Sequence, residues 1–349
     1  MSFSIGIIGL PNVGKSTLFK SLTKKQVDIA AFPFTTVNPN VGVVAVPDER
    51  LEKIARTLKP EKVTPTVIEF VDIAGLVKGA HRGEGLGNQF LARIRECDAI
   101  LEIVRLFKAD LVCHVEKSIN PERDIEIIKT ELLMKDLETT EKAVGKMKKE
   151  TKSGDKEVIK KKELLKRIQE NLNKGKMVKE TELSAEDFPL IKEFQFLTVK
   201  PIIYILNINQ AEVKDSRPKM ETAPILCFNL KLEEEISELS EAETRELEIH
   251  SQLDRLITAC YTILDLITFY TVAGGKEVRA WALKKGTNVL TAAGQVHSDF
   301  KERFIRAEIV NWEKLVNVGS WSKSREQGWI QTVGKEYVVQ DGDVIEFKI

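Results

Sequence analysis

The chain has 349 residues, enough for two or three domains, and its 42% hydrophobic and 30% charged content is the balance of an ordinary globular protein. Lys plus Arg (53) equals Asp plus Glu (53), so net charge alone points to no partner, and no apolar run is long enough to span a bilayer. The four cysteines lie far apart with no CxxC pair, and MSFSIGIIGL has no basic leader, so a cytoplasmic protein with reduced thiols, no signal peptide and no membrane partner is expected.

The first predicted strand covers residues 3–9, and a helix is expected from Ser16 onward. Between them, Gly9-Leu-Pro-Asn-Val-Gly14-Lys15-Ser16 fits G-x-x-x-x-G-K-[ST]. Glycines let the backbone bend so that successive N–H groups converge on phosphate oxygens, and the helix start adds its positive dipole end. The expected cradle is Asn12, Val13, Gly14, Lys15, Ser16 and Thr17, with Lys15 the catalytic cation at the β- and γ-phosphates and the Ser16 hydroxyl a Mg²⁺ ligand. A glycine turn is the bland alternative, yet the four fixed positions would match by chance in only roughly one chain in a hundred of this length.

Next, "FPFTTVNPN" carries Thr35 and Thr36, and Thr36 is the expected residue to close on Mg²⁺ when a γ-phosphate is present; otherwise the stretch is a Thr-Pro surface loop. Thr66–Leu76 reads as a strand ending at Asp72. Asp72-Ile-Ala-Gly75 forms a DxxG, with Asp72 a second metal carboxylate and Gly75 free to approach the γ-phosphate. Asp98–Phe107 and Pro201–Ile208 read as further strands with helical patterns between them, which predicts a doubly wound, parallel α/β sheet.

Residues 120–195 break that rhythm. Ile125, Ile128, Leu132, Leu137, Val144 and Met147 recur at helical spacing, Thr151–Lys156 is a turn, and Leu165, Ile168 and Leu172 continue the stripe. An inserted antiparallel coiled-coil hairpin is expected. Lys142–Lys176 holds 13 basic and 5 acidic residues, whereas Glu233–Glu248 holds 8 acidic and 1 basic. The basic excess is either a solvated helical face or an arm that touches phosphate backbone. A helix over Leu253–Leu264 then leads into strands and turns up to Ile349, a small α+β domain. The predicted domains are 1–119 with 196–266, 120–195, and 267–349.

Several stretches together resemble the YchF family of ribosome-associated ATPases, in the Obg group of translation-factor class P-loop GTPases. They are "GLPNVGKSTLF", "FPFTTVNPNVGVVAVPDERL", "EFVDIAGLVKGAHRGEGLGNQFLARIRECDAI", "FYTVAGGKEVRAWALKKGT" and "AAGQVHSDFKERFIRAEIV". The resemblance covers almost the whole chain. It implies a P-loop G-domain, a coiled-coil insertion and a C-terminal ubiquitin-like TGS (β-grasp) domain. It further implies Mg²⁺-dependent nucleotide hydrolysis and, as partners of a monomer, the ribosome (large subunit or 70S) and rRNA.

Guanine-specific sites use Asn-Lys-x-Asp, whose carboxylate accepts from guanine N1–H and N2–H. Here the stretch is Asn207-Ile208-Asn209-Gln210, with neither the lysine nor the carboxylate. The Gln210 amide has one oxygen acceptor and one NH₂ donor, so one guanine donor stays unmet at about 1–3 kcal/mol. Similar chains carry Asn-x-x-Glu and favour ATP; the shifted register Asn209-Gln-Ala-Glu212 would restore that pattern, but the strand is read as ending at Asn207. The N–H and C=O of Ile208 are expected to read the adenine edge, giving ATP preference over GTP. The late base loop reads Cys227-Phe228-Asn229 where similar chains carry small residues, and Phe228 is expected to narrow the pocket or shift the loop.

The residue after DxxG is Leu76, which cannot orient water, so a histidine is expected to do so. His114, in "DLVCHVE", is the first candidate because similar chains carry His-Val there; His81, in "VKGAHRGEGLG", is the second. Asn12 can hold K⁺ beside the phosphates, as in related GTPases that lack the glutamine. Three functions stand: a slow ribosome-binding ATPase switch, a GTP-specific ribosome assembly GTPase, and a nucleotide-gated scaffold without useful turnover.

Overall fold

The computed structural model describes residues 3–26, 39–73, 87–107, 118–150, 156–209, 223–273 and 275–349. In chain order the first half comprises β1 (Phe3–Ile8), α1 (Lys15–Lys24), β2 (Val41–Ala45), α2 (Glu49–Leu58), β3 (Lys62–Thr64), β4 (Val67–Asp72), α3 (Gly87–Glu96), β5 (Ala99–Arg105) and α4 (Pro121–Glu150). Then come α5 (Lys156–Asn173), α6 (Asp187–Ile191), β6 (Ile202–Asn207), β7 (Ile225–Phe228), α7 (Leu230–Glu238), α8 (Glu241–Glu246) and α9 (Leu253–Ile263). The last part holds β8 (Leu266–Ala273), β9 (Glu277–Lys284), α10 (Val289–Val296), α11 (Ser298–Glu302), β10 (Arg306–Asn311), α12 (Trp312–Val318), α13 (Trp321–Glu326), β11 (Gln331–Val333) and β12 (Asp343–Lys348).

The chain divides into two units, Ser4–Ser21 with Phe70–Ser251, and Met1–Phe3 with Leu22–Glu69 and Gln252–Ile349. In the first, strand order is β4-β1-β5-β6-β7. The β1–β5, β5–β6 and β6–β7 pairs are parallel, with Ile8 beside Glu102, Arg105 beside Asn207, and Asn207 beside Phe228. Largely apolar runs explain this: all seven residues of β5, Glu102 and Arg105 among them, and all six of β6 are buried, as strands covered on both faces must be. β6 ends at Asn207, where its apolar run stops.

Two long helices follow β5. The stripe predicted from periodicity is buried at Ile125, Ile128, Leu132, Val144, Met147, Leu165, Ile168 and Leu172, and α4 packs on α5. Leu137 is only half-buried. Its neighbour Asp136 goes inside instead, because its carboxylate accepts from the N–H groups of Leu197 (2.9 Å) and Thr198 (2.8 Å) and from the Thr198 hydroxyl. Burial pushes Asp136 up to about 6 against the pull of those donors.

The second unit is built on a mixed sheet of order β11-β10-β12-β8-β9-β3. β8–β9 and β10–β12 are antiparallel, while β12–β8 and β3–β9 are parallel. Residues 49–64 supply the edge strand β3 and the helix α2, whose Leu51 and Ile54 pack with Tyr270, Val278, Ala280, Val310, Leu315 and Val344. Asp48 caps α2 by accepting from Arg50 N–H (3.0 Å) and also accepts the Tyr270 hydroxyl (2.5 Å). Arg50 in turn bonds Asp341 (2.7 Å), whose other oxygen accepts from Thr268 N–H (2.8 Å).

Candidate nucleotide site

The apolar β1 delivers the chain to Gly9, and the turn to α1 needs three residues at positive φ: Gly9 (153°), Asn12 (63°) and Gly14 (107°). Asn12 tolerates this because its short polar side chain permits the left-handed region. The two glycines also accept close neighbours. A Cβ on Gly9 would lie 2.6 Å from the Ile103 carbonyl oxygen, and one on Gly14 would lie 2.6 Å from Asn207 Nδ2. The first helical bond, from Leu18 N–H to Gly14 O (3.0 Å), leaves the N–H groups just ahead of it at the mouth of α1.

Lys15 is 9% exposed, and its Nζ donates to the carbonyls of Leu10 (2.8 Å) and Gly9 (3.2 Å). Burial lowers its amine to about 8, with Asp72 pulling the other way. Asp72, at the end of β4, has its carboxyl raised by burial and lowered by Lys15. For both groups desolvation outweighs their mutual attraction. Among the described residues, neither the exposed Ser16 hydroxyl nor the Asp72 carboxylate makes a hydrogen bond. Two uncommitted hard oxygen donors beside a phosphate loop fit Mg²⁺. Val13 is buried, Thr17 is half-buried, and Asn12 is exposed.

The base end departs from expectation. Asn207 Nδ2 donates to Val13 O (2.9 Å), and its Oδ1 accepts from Leu230 N–H (3.2 Å). Its amide therefore ties the phosphate loop to the start of α7. Ile208 N–H donates to Phe228 O (2.8 Å), so it cannot also read an adenine nitrogen, and that half of the predicted base contact is corrected. Phe228 is 1% exposed, with its ring in the core, while Asn229 caps α7 by accepting from Leu232 N–H (3.1 Å). The β7 end thus spends its large residue on packing and its polar one on capping; Phe228 does not line an open pocket. Thr35, Thr36, Gly75, Leu76, His81, His114, Gln210 and Glu212 lie outside the described residues.

Sequence reasoning passed over Arg105. It ends β5 in register with Asn207, is buried, donates from Nε to Phe107 O (3.1 Å), and stacks over the Phe107 ring at 4.4 Å. The signal was available: an arginine closing a largely apolar strand at the end where ligands bind.

A family model described as 50S ribosome-binding GTPase (MMR_HSR1) matches residues 4–140, and one described as YchF-GTPase_C, Protein of unknown function (DUF933), matches 266–349. The Ribosome-binding ATPase YchF of Bacillus subtilis (strain 168) is 44% identical over an alignment of 364 positions, covering 100% of this chain and 99% of that protein. The protein of the same name from Escherichia coli O157:H7 is 43% identical over 361 positions, covering 99% of each. A solved structure, that of the Schizosaccharomyces pombe YchF GTPase, matches with a TM-score of 0.85 at 32% identity, covering 99% of this chain and 98% of that one. Likeness of that degree from end to end, on an α/β P-loop GTPase fold, makes this chain a member of the YchF family.

Proposed function

We propose that the chain is a Mg²⁺-dependent nucleoside triphosphatase that prefers ATP to GTP and works as a ribosome-associated switch in the cytoplasm. The observation that carries the reading is the loop Gly9–Ser16, with the buried Lys15 ammonium inside it, the Asp72 carboxylate close enough to act on it, and Ser16 uncommitted. The curated relatives are named ribosome-binding ATPases, and the solved relative is named a GTPase. Base preference must therefore come from this chain's own residues. The acceptor pair that guanine needs is missing from Asn207-Ile208-Asn209-Gln210, which supports ATP. The Ile208 carbonyl and the Gln210 side chain are then the adenine-facing groups.

In this reading the N–H groups of Asn12 to Thr17 bind the phosphates, Lys15 lies along the β- and γ-oxygens, and Asn207 keeps the loop in shape. Ser16, Asp72 and Thr36 would hold Mg²⁺, which neutralises phosphate charge when bound. Gly75 gives the γ-phosphate room. With Leu76 in place of a glutamine, His114 positions the attacking water, His81 is its stand-in, and turnover is slow with residual GTPase activity. Asn12 would hold K⁺ at the same phosphates. Residues 1–119 with 196–266 act as the G-domain, the 120–195 insertion as a basic coiled-coil arm against rRNA, and 267–349 as a TGS domain, in a monomer.

Calorimetric titration with Mg·ATP and Mg·GTP, and turnover with and without ribosomes, test this together. Tighter ATP binding and ribosome-dependent turnover are expected; tenfold tighter GTP binding would replace it with the GTPase reading. Single-turnover hydrolysis by His114→Ala should fall at least tenfold, an unchanged rate removing that residue. Equal rates in Na⁺ and K⁺ would remove the potassium site.

A further inference from the structure

One short stretch of backbone belongs to both chemistries of this chain. β3 (Lys62–Thr64) is the edge strand of the C-terminal sheet, and after Pro65 and Thr66 the same chain becomes β4, which ends at Asp72. β3 is held lightly. Lys62 N–H donates to Lys276 O (3.0 Å), Glu61 N–H to Gly275 O (3.4 Å), and the Thr64 hydroxyl to Glu277 Oε1 (2.6 Å). Thr64 is nevertheless 2% exposed, so releasing the strand uncovers a buried polar link. Upstream, α2 is fixed by Leu51, Ile54 and the Asp48–Arg50–Asp341–Tyr270 bonds, and only Lys59, Pro60 and Glu61 separate it from β3.

We propose that Lys62–Asp72 is a coupling strand: engagement of Asp72 by a metal–triphosphate biases β3 between a state paired to β9 and a released state. The inference rests on the reading of Asp72 as a metal carboxylate. Movement along β4 has two residues in which to dissipate before it reaches β3. The helix upstream is anchored, so strain carried past Thr66 falls on the three-residue pairing. Two arrangements of β3, each favoured by a different nucleotide state, are what coupling requires. Reciprocity follows: a partner that grips the C-terminal sheet with β3 paired tightens Mg·ATP by the same factor by which Mg·ATP tightens the partner.

Hydrogen exchange on the full chain, free and with Mg and a non-hydrolysable ATP analogue, tests this. Amides of Lys62–Thr64 and Glu277–Lys284 should exchange about fivefold or more slowly with the analogue, the low end of coupling constants. Thr64→Val, isosteric but without the donor, should lose most of that protection and bind the analogue about fivefold more weakly. Glu277→Gln, which keeps an acceptor, should behave as wild type, and Glu277→Leu should repeat the Thr64→Val effect from the other side. If the analogue raises the melting temperature of the wild type but leaves β9 exchange within twofold, the coupling is wrong and the nucleotide site stands. If it does not bind the wild type at all, the site and the coupling both fall.

Discussion

Lys15 offers a test in which charge, burial and ligand can be separated. Its amine is lowered from the ordinary 10.5 to about 8 by burial, with Asp72 opposing. Because the folded value lies below the unfolded one, the unfolded chain binds more protons between pH 8 and 10.5. Stability contributed at this site therefore rises with pH across that window, and below pH 8 the full penalty of burying the cation is present. The penalty is roughly 3 kcal/mol. The hydrogen bonds to the Gly9 and Leu10 carbonyls return about 1 kcal/mol each. Lys15→Met should thus make the nucleotide-free protein more stable at pH 7 by about 1 kcal/mol, an advantage that fades towards pH 10.5. The ligand responds in the opposite sense: phosphates favour the ammonium, so Mg·ATP affinity should be about tenfold weaker at pH 9 than at pH 7, and the variant should bind weakly throughout. Urea denaturation of both proteins from pH 7 to 10.5, with calorimetric titration of the wild type, measures both halves. A stability difference that does not change with pH, or ATP affinities within twofold between pH 7 and 9, would refute the reasoning.

Other expectations follow from single contacts. Asn207→Ala should weaken Mg·ATP and tripolyphosphate alike by about tenfold, since the amide secures the phosphate loop at Val13; a loss confined to ATP would make Asn207 a base reader alone. Gly14→Ala should abolish nucleotide-induced thermal stabilisation, because φ of 107° and a Cβ 2.6 Å from Asn207 Nδ2 cannot both be accommodated. Asp136→Ala should cost about 2–4 kcal/mol in urea denaturation at pH 7.5, since the N–H groups of Leu197 and Thr198 lose their buried acceptor.

The phosphate loop was legible because backbone chemistry imposes it: only glycine accepts both the φ values and the approach of Ile103 and Asn207. The strands β1, β5 and β6 were legible because strands covered on both faces are largely apolar, with Glu102 and Arg105 the charged exceptions in β5. What escaped was set by partners distant in sequence. Residues 62–64 read "KVT", too short for any pattern, and become a strand only because β9 offers an unpaired edge. Leu137 fitted the helical period, yet the bare N–H groups of residues 197 and 198 drew Asp136 inward beside it. Ile208 looked free to bind a base until its N–H was seen to be spent on Phe228, a residue 20 positions away.

The borrowed edge also bears on how this chain can be cut and recombined. A family model ends cleanly around 266–349, as if that stretch were a portable cassette. Excised there, it would lose Leu51 and Ile54 from its interior and leave the backbone of β9 bare along one side, an open template for sticking to its own kind. Grafts that carry residues 39–69 with it should stay dispersed where the shorter piece precipitates.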